Sequence, residues 1–167
     1  ASTKNGTKIT ERDMRPAYVP REDFELKKGP ANGNSGCEDP RITVMEDMVY
    51  MAYTAFDGVH PPRAALTSIS TDDFLNKRWE KWSKPVLVTP DTYDDKDMCL
   101  LPEKVGGQYM LLHRISPQIC ADFLDTLDFK KNRITRCIEI MGPRPGCWDS
   151  EKIGIAGPPI QTEQRSL

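Results

Sequence analysis

The stretch Glu38-Asp39-Pro40-Arg41 sets two carboxylates and a guanidinium around a proline, immediately before an alternating apolar run. Pro40 locks its own φ and so restricts how its neighbours are aimed. The group has two readings. It is a charged turn in which Asp39 accepts backbone N–H bonds, as aspartates in turns do, or it is a site held at a strand entrance. A second cluster, Asp95-Lys96-Asp97, has the alternation of an extended segment, with the two carboxylates flanking the lysine. Two carboxylates without further oxygen ligands make a poor calcium site, and no metal is expected. His113 and Arg114 end the apolar run "YMLLHR" and point to opposite faces if that run is a strand. Arg114 is the cation hardest to explain as a solvated surface charge, whereas Lys96 and Lys152 have that reading open to them. Asp57 and His60 lie in "FDGVHPP", a loop of the kind in which ligand contacts concentrate.

The elements that must position these residues are short strands. "ITVMEDMVYMAYTAF" reads as two strands around the turn Glu46-Asp47, and "RAALTSIS" as a third. "TDDFLN" reads as an Asp-rich turn and "KPVLVTP" as a short strand between prolines. "DMCLLPEKVGGQYMLLHRI" reads as a hairpin about Gly106-Gly107. "ITRCIEIM" is a further strand candidate, and "DFLDTLDFKKN" is equivocal between a short helix and none. Two segments share an outline, "EDPRITVMEDMVYMAYTAF" and "KDMCLLPEKVGGQYMLLHR": a charged entrance, a strand, a tight turn and a returning strand. Repetition of a hairpin unit favours a β-propeller among the all-β architectures. Trp79, Trp82 and Trp148 read as packing residues. Tyr53 and Phe56 read first as core.

Composition narrows the class. The chain has 167 residues, 38% of them hydrophobic, and a net charge of −2. A nucleic-acid binder relying on overall charge would be basic, and no apolar run reaches the length of a membrane helix. Neither nucleic acid nor a membrane is expected as a partner. The first residues do not read as a signal peptide, which makes the cytoplasm the default compartment. Cys37, Cys99, Cys120, Cys137 and Cys147 are odd in number and form no C-x-x-C pair. They are read as buried thiols rather than as a disulfide framework or a zinc site.

"GCEDPRIT", "YTAFDG", "ALTSISTDDF", "DDKDMCLLPEKVGGQYMLLHR" and "WDSEKIGIAGPPIQT" occur in this order. The series resembles glycoside hydrolase family 130, the inverting mannoside phosphorylases and β-mannosidases, from about Arg15 to Thr162. The resemblance implies an all-β fold of the five-bladed β-propeller family, of which this chain would cover roughly the middle three blades. Residues 1–167 would then be a single incomplete β-propeller catalytic domain. The family usually continues past the Pro-Pro-Ile-x-Thr segment into Gly-Trp-Leu and Tyr-His-Gly; here "EQRSL" follows instead, as in a central fragment.

The resemblance also implies the chemistry. Inversion needs a proton donor at the leaving oxygen and a nucleophile on the opposite face of the sugar. A hydrolase sets two carboxyls roughly 6.5–9.5 Å apart with water between base and sugar. A phosphorylase uses phosphate itself as the nucleophile and needs cations instead of a base. Asp39 matches the catalytic aspartate, acting as general acid through a sugar hydroxyl that relays the proton. Lys96, Arg114 and Lys152 match cationic positions that contact phosphate. Guanidinium and ammonium groups suit that ligand. Glu38, Arg41, Asp57, Asp95 and Asp97 are candidate substrate contacts, with Arg41 orienting the acid and Asp97 the base if water is the nucleophile. The implied activity is cleavage of β-mannosides by phosphorolysis, giving mannose 1-phosphate, or by hydrolysis. A non-catalytic propeller module that binds glycans or proteins is the alternative. No cofactor is implied beyond inorganic phosphate as a co-substrate. The expected partner is an oligosaccharide substrate, with a homo-oligomer left open.

Overall fold

The computed structural model describes residues 2–30, 33–130, 133–160 and 163. A small ribbon, β1 (Ser2–Thr3) with β2 (Ile9–Glu11), precedes two four-stranded antiparallel sheets. The first sheet runs β3 (Gly36–Met45), β4 (Met48–Phe56), β5 (Arg63–Ser70) and β6 (Val86–Leu87), each strand beside the next. The second runs β7 (Asp95–Leu100), β8 (Tyr109–Ile115), β9 (Gln118–Leu124) and β10 (Ile138–Met141) in the same up-and-down manner.

Local chemistry sets the turns. Met45 pairs with Met48 across a two-residue turn in which Glu46 takes a left-handed φ of 53°. In the β7–β8 hairpin, Gly106 and Gly107 have φ of 60° and 86°, and Val105 pairs with Gln108. Positive φ at both central residues matches the twist of the flanking strands, and glycine adopts it without steric cost.

β7 lies against β3, β4 and β5. Between the sheets Met45, Ala52, Leu66, Met98, Leu100 and Leu111 form one core, with Phe129 and Ile134 from the β9–β10 connection completing it. β4 is buried on both faces: Val49, Met51, Tyr53 and Ala55 enter a second core with Ile69 and Trp82, against which Tyr18 and Phe24 of the N-terminal segment pack. The Trp82 indole N–H donates to the Ala17 carbonyl at 2.8 Å, fastening that segment to the sheet.

The structure is mostly β, and several expectations change in detail. Two four-stranded sheets form where three blades were anticipated, and the sheets stay open, with no ring closed among the described residues. Residues 71–75 are a short helix, α1 (Thr71–Leu75), rather than a turn, because the Ser70 hydroxyl accepts the Asp73 N–H and acids occupy its first turn. The equivocal stretch from Asp122 is not helical: Asp122–Leu124 end β9, a strand the apolar pattern did not reveal. Cys120 and Cys137 form a disulfide, correcting the reading of all five cysteines as thiols. The pairing of β9 with β10, Glu139 opposite Cys120, brings together cysteines whose spacing carries no motif. Of the free thiols Cys99 is buried, Cys37 half-buried and Cys147 exposed. Trp82 is buried, but Trp148 is 91% exposed and packs on no core. The end of the "IQT" motif and the "EQRSL" tail, apart from Glu163, lie outside the described residues.

Candidate active site

The charged stretches singled out from the sequence occupy equivalent places in the two sheets. In the first, Glu38 pairs with Thr54 and Arg41 with Ala52, so Asp39 and Pro40 together oppose the single residue Tyr53. In the second, Lys96 pairs with Arg114 and Cys99 with Leu112, so Asp97 and Met98 together oppose His113. Each is a β-bulge, which bends a strand and re-aims a side chain. The extra residue in both is an aspartate in the left-handed region, Asp39 at φ 51° and Asp97 at φ 59°. For a non-glycine residue this conformation costs roughly 1–2 kcal/mol, and the surrounding contacts must hold it.

Those contacts draw the two bulges together. Glu38 and Lys96, at matching positions, form a half-exposed ion pair at 3.5 Å. Deeper in, Asp97 sits between two guanidinium groups, 3.2 Å from Arg41 Nη2 and 2.8 Å from Arg114 Nη1. All three are buried. Arg41 also donates to the Asp39 carbonyl at 3.0 Å, tying the first bulge to the second. Arg41 Nε and Nη2, with Arg114 Nη1, also meet a strap of backbone. Arg41 reaches the carbonyls of Ile155 at 2.7 Å and Ala156 at 3.2 Å, and Arg114 that of Ile153 at 2.9 Å. Gly154 lies within this strap because a Cβ there would sit 2.8 Å from an Asp97 carboxylate oxygen and 3.1 Å from Arg114 Nη1. Arg114 Nε is buried with no hydrogen-bond partner among the described residues. Asp39 itself is exposed, and its carboxylate makes no hydrogen bond or ion pair among the described residues. A carboxyl left without a partner is chemically able to deliver a proton.

The other candidates lie in different surroundings. Lys152 is exposed, two residues before Gly154, and lines a groove of about 520 Å³ with Ile119, Trp148 and Asp149. Asp57 is fully buried. It accepts the backbone N–H groups of Val59 and His60 at 3.0 and 2.9 Å and faces the His60 ring at 2.7 Å, with Lys28 and Arg63 nearby. Burial alone would raise its pKa, but these bonds, those from His60 first, hold the carboxyl well below the usual range. It organises the 57–60 loop rather than presenting a free oxygen. Asp95 is also fully buried, with both oxygens 3.0 Å from His113 Nδ1, while Asp122 lies 2.9 Å from Nε2. Burial pulls the His113 pKa down, but Asp122 and Asp95 outweigh it and lift it to about 9. The imidazolium between two carboxylates ties β7, β8 and β9 together beneath the second bulge.

Sequence reasoning thus found Glu38, Asp39, Arg41, Lys96, Asp97 and Arg114, which the fold gathers. It passed over Gly154 and the carbonyl strap, Asp122 and Glu25, and read Tyr53 as core without its carboxylate partner. Only the glycine inside "KIGIAG" offered a signal, since an isolated glycine in an apolar run marks a close approach.

A family model described as beta-1,4-mannooligosaccharide phosphorylase, glycoside hydrolase family 130, matches residues 2–167. The chain belongs to glycoside hydrolase family 130. Among its relatives, a beta-1,2-mannobiose phosphorylase of Thermoanaerobacter sp. (strain X514) is 40% identical over 128 residues, covering 77% of this chain and 39% of the relative. A 1,2-beta-oligomannan phosphorylase of the same organism is 36% identical over 128 residues, covering 77% of this chain and 40% of the relative. The structure of the beta-1,2-mannobiose phosphorylase from Listeria innocua, in complex with beta-1,2-mannobiose, superposes with a TM-score of 0.66. It is 24% identical, with 91% of this chain and 38% of that one covered, and so shares the fold. The chain spans about two fifths of the length of these relatives.

Proposed function

We propose that the full-length protein is an inverting β-mannoside phosphorylase, and that the two sheets are consecutive blades of a five-bladed ring whose axis the bulges face. The observation that carries this reading is the junction of the bulges: an Asp39 carboxyl with no partner among the described residues, on a bulge whose carbonyl Arg41 holds, with Asp97 already neutralised by two guanidinium groups. A carboxylate clamped in this way is a poor general base. That favours a nucleophile bearing its own charge over an activated water.

In this scheme Lys96, Arg114 and Lys152 hold inorganic phosphate. A phosphate oxygen bonds to the anomeric carbon as the glycosidic C–O bond breaks from the opposite face. The leaving oxygen receives its proton from Asp39, relayed by a hydroxyl of the bound sugar, and the products are α-mannose 1-phosphate and the shortened acceptor. Glu38 is the remaining polar contact for substrate at the bulge, and Arg41 orients the acid through its backbone. The names of the relatives point to β-1,2-linked mannosides.

The test is incubation of the full-length protein with β-1,2- and β-1,4-mannobiose, with and without phosphate. Mannose 1-phosphate formed only with phosphate is the expected result. Phosphorolysis also releases one free mannose from each mannobiose, so it is free mannose formed without phosphate that makes the protein a hydrolase, and no turnover leaves a glycan- or protein-binding module.

A further inference from the structure

Each bulge has one residue directly opposite it, and both of these are buried and held by carboxylates. His113 lies between Asp95 and Asp122. Tyr53, 1% exposed, donates its hydroxyl to Glu25 Oε1 at 2.5 Å. Glu25 belongs to the N-terminal segment, 12 residues before Cys37 and 28 before Tyr53, and is fully buried. The same Oε1 accepts the Tyr18 hydroxyl at 2.6 Å and the Cys37 thiol at 3.5 Å. Oε2 accepts the backbone N–H groups of Arg21 and Glu22 at 2.9 and 2.8 Å. One carboxylate therefore grips β3 two residues before Asp39 and grips β4 at the residue facing Asp39. Pro40, the other half of the bulge, lines the same groove as Cys37 and Tyr53.

Packing alone does not account for this. A phenylalanine would fill the site of Tyr53, and an apolar residue would avoid desolvating a charge at position 25. Burial tends to raise the pKa of Glu25, but Tyr18, Tyr53 and the two backbone donors hold it below the ordinary range, so it remains an acceptor. The Cys37 thiol is pushed up to about 12, mainly by burial, and remains a donor. We infer that Tyr53, fixed by Glu25, is the positioning residue that aims Asp39 at the leaving oxygen, and that the N-terminal segment acts on the reaction through this contact. The inference rests on Asp39 being the general acid.

The experiment compares Tyr53→Phe and Glu25→Gln with wild type in the full-length protein, at saturating phosphate, on β-1,2-mannobiose and on 2,4-dinitrophenyl β-mannoside. The dinitrophenolate departs with the bonding electrons and needs no proton, so a misdirected acid matters little there. A positioned general acid contributes roughly 10²–10⁴-fold. Losing its aim while keeping its reach lowers kcat on mannobiose about tenfold, a share of that contribution. KM stays unchanged and turnover of the aryl mannoside is retained. Equal losses on both substrates, kcat and KM changing together, or no loss at all would overturn the positioning role. Tyr53→Phe serves if Glu25→Gln does not fold. Absence of mannoside turnover by the wild type would overturn the functional reading, and this inference with it.

Discussion

Replacing Asp97 by asparagine separates the two jobs assigned to the junction of the bulges. Asp97 accepts from Arg41 at 3.2 Å and from Arg114 at 2.8 Å, and both guanidinium groups are nearly shut off from solvent. Asparagine keeps one oxygen for one of them and turns an N–H₂ toward the other. Arg41 still has the carbonyls of Asp39, Ile155 and Ala156, but Arg114 keeps only that of Ile153 among its described acceptors. Removing one partner of a buried ion pair costs about 3–5 kcal/mol. The surviving carbonyls set the expectation at the lower end, about 3 kcal/mol, or roughly a hundredfold in the folding equilibrium. Urea unfolding of the full-length protein at pH 7, followed by tryptophan fluorescence, reads this directly. Phosphate supplies the second reading. If the anion binds these cations, removing the carboxylate that repels it raises phosphate affinity, and ligand binding to the native state adds stability by mass action. Phosphate should then raise the urea midpoint of Asp97→Asn more than that of wild type. A loss under about 1 kcal/mol refutes the clamp, and an equal phosphate response in both proteins refutes the shared anion site.

The strap and the second bulge make further predictions. Gly154→Ala places a methyl 2.8 Å from the Asp97 carboxylate and 3.1 Å from Arg114 Nη1. It should cost about 1–3 kcal/mol, the range for inserting a methyl into a packed site, and should weaken phosphate dependence by shifting Lys152; an unchanged urea midpoint and phosphate KM would count against the strap. His113 has a folded pKa of about 9, above the ordinary value of about 6.5. The stability it contributes is fully present below about pH 6.5 and is lost as pH rises toward 9, a change on the order of 3 kcal/mol. The Asp95 carboxyl, raised chiefly by burial, acts with the same sign. Urea midpoints measured from pH 6 to 9.5 should fall for wild type and stay flatter for His113→Gln.

The sequence made the site legible where chemistry is local and hid it where partners arrive from far along the chain. Glycines with positive φ revealed the β7–β8 turn, and alternation revealed β3, β4, β5 and β8, because both depend on neighbouring residues. The bulges were half visible: a charged entrance recurs before each hairpin, but the doubled register opposite Tyr53 and His113 follows from strand pairing, which no single segment encodes. Asp95 and Asp97 looked alike as alternating carboxylates. They part because Asp95 meets His113 from within its own sheet, whereas Asp97, thrown outward by the bulge, meets Arg41 from the other sheet, 56 residues away. Glu25 was the least legible, since one acid among several charges in "REDFELKK" reads as solvated, and only the fold shows it fully buried against Tyr53. The same logic explains why Asp39 is the free carboxyl. Every other acid of the two bulge motifs faces a cation or an imidazole, while Arg41 meets Asp39 at its backbone carbonyl. The fold spends its cations on Asp97 and Glu38 and leaves Asp39 without a partner among the described residues, which suits the proton-donor role proposed for it.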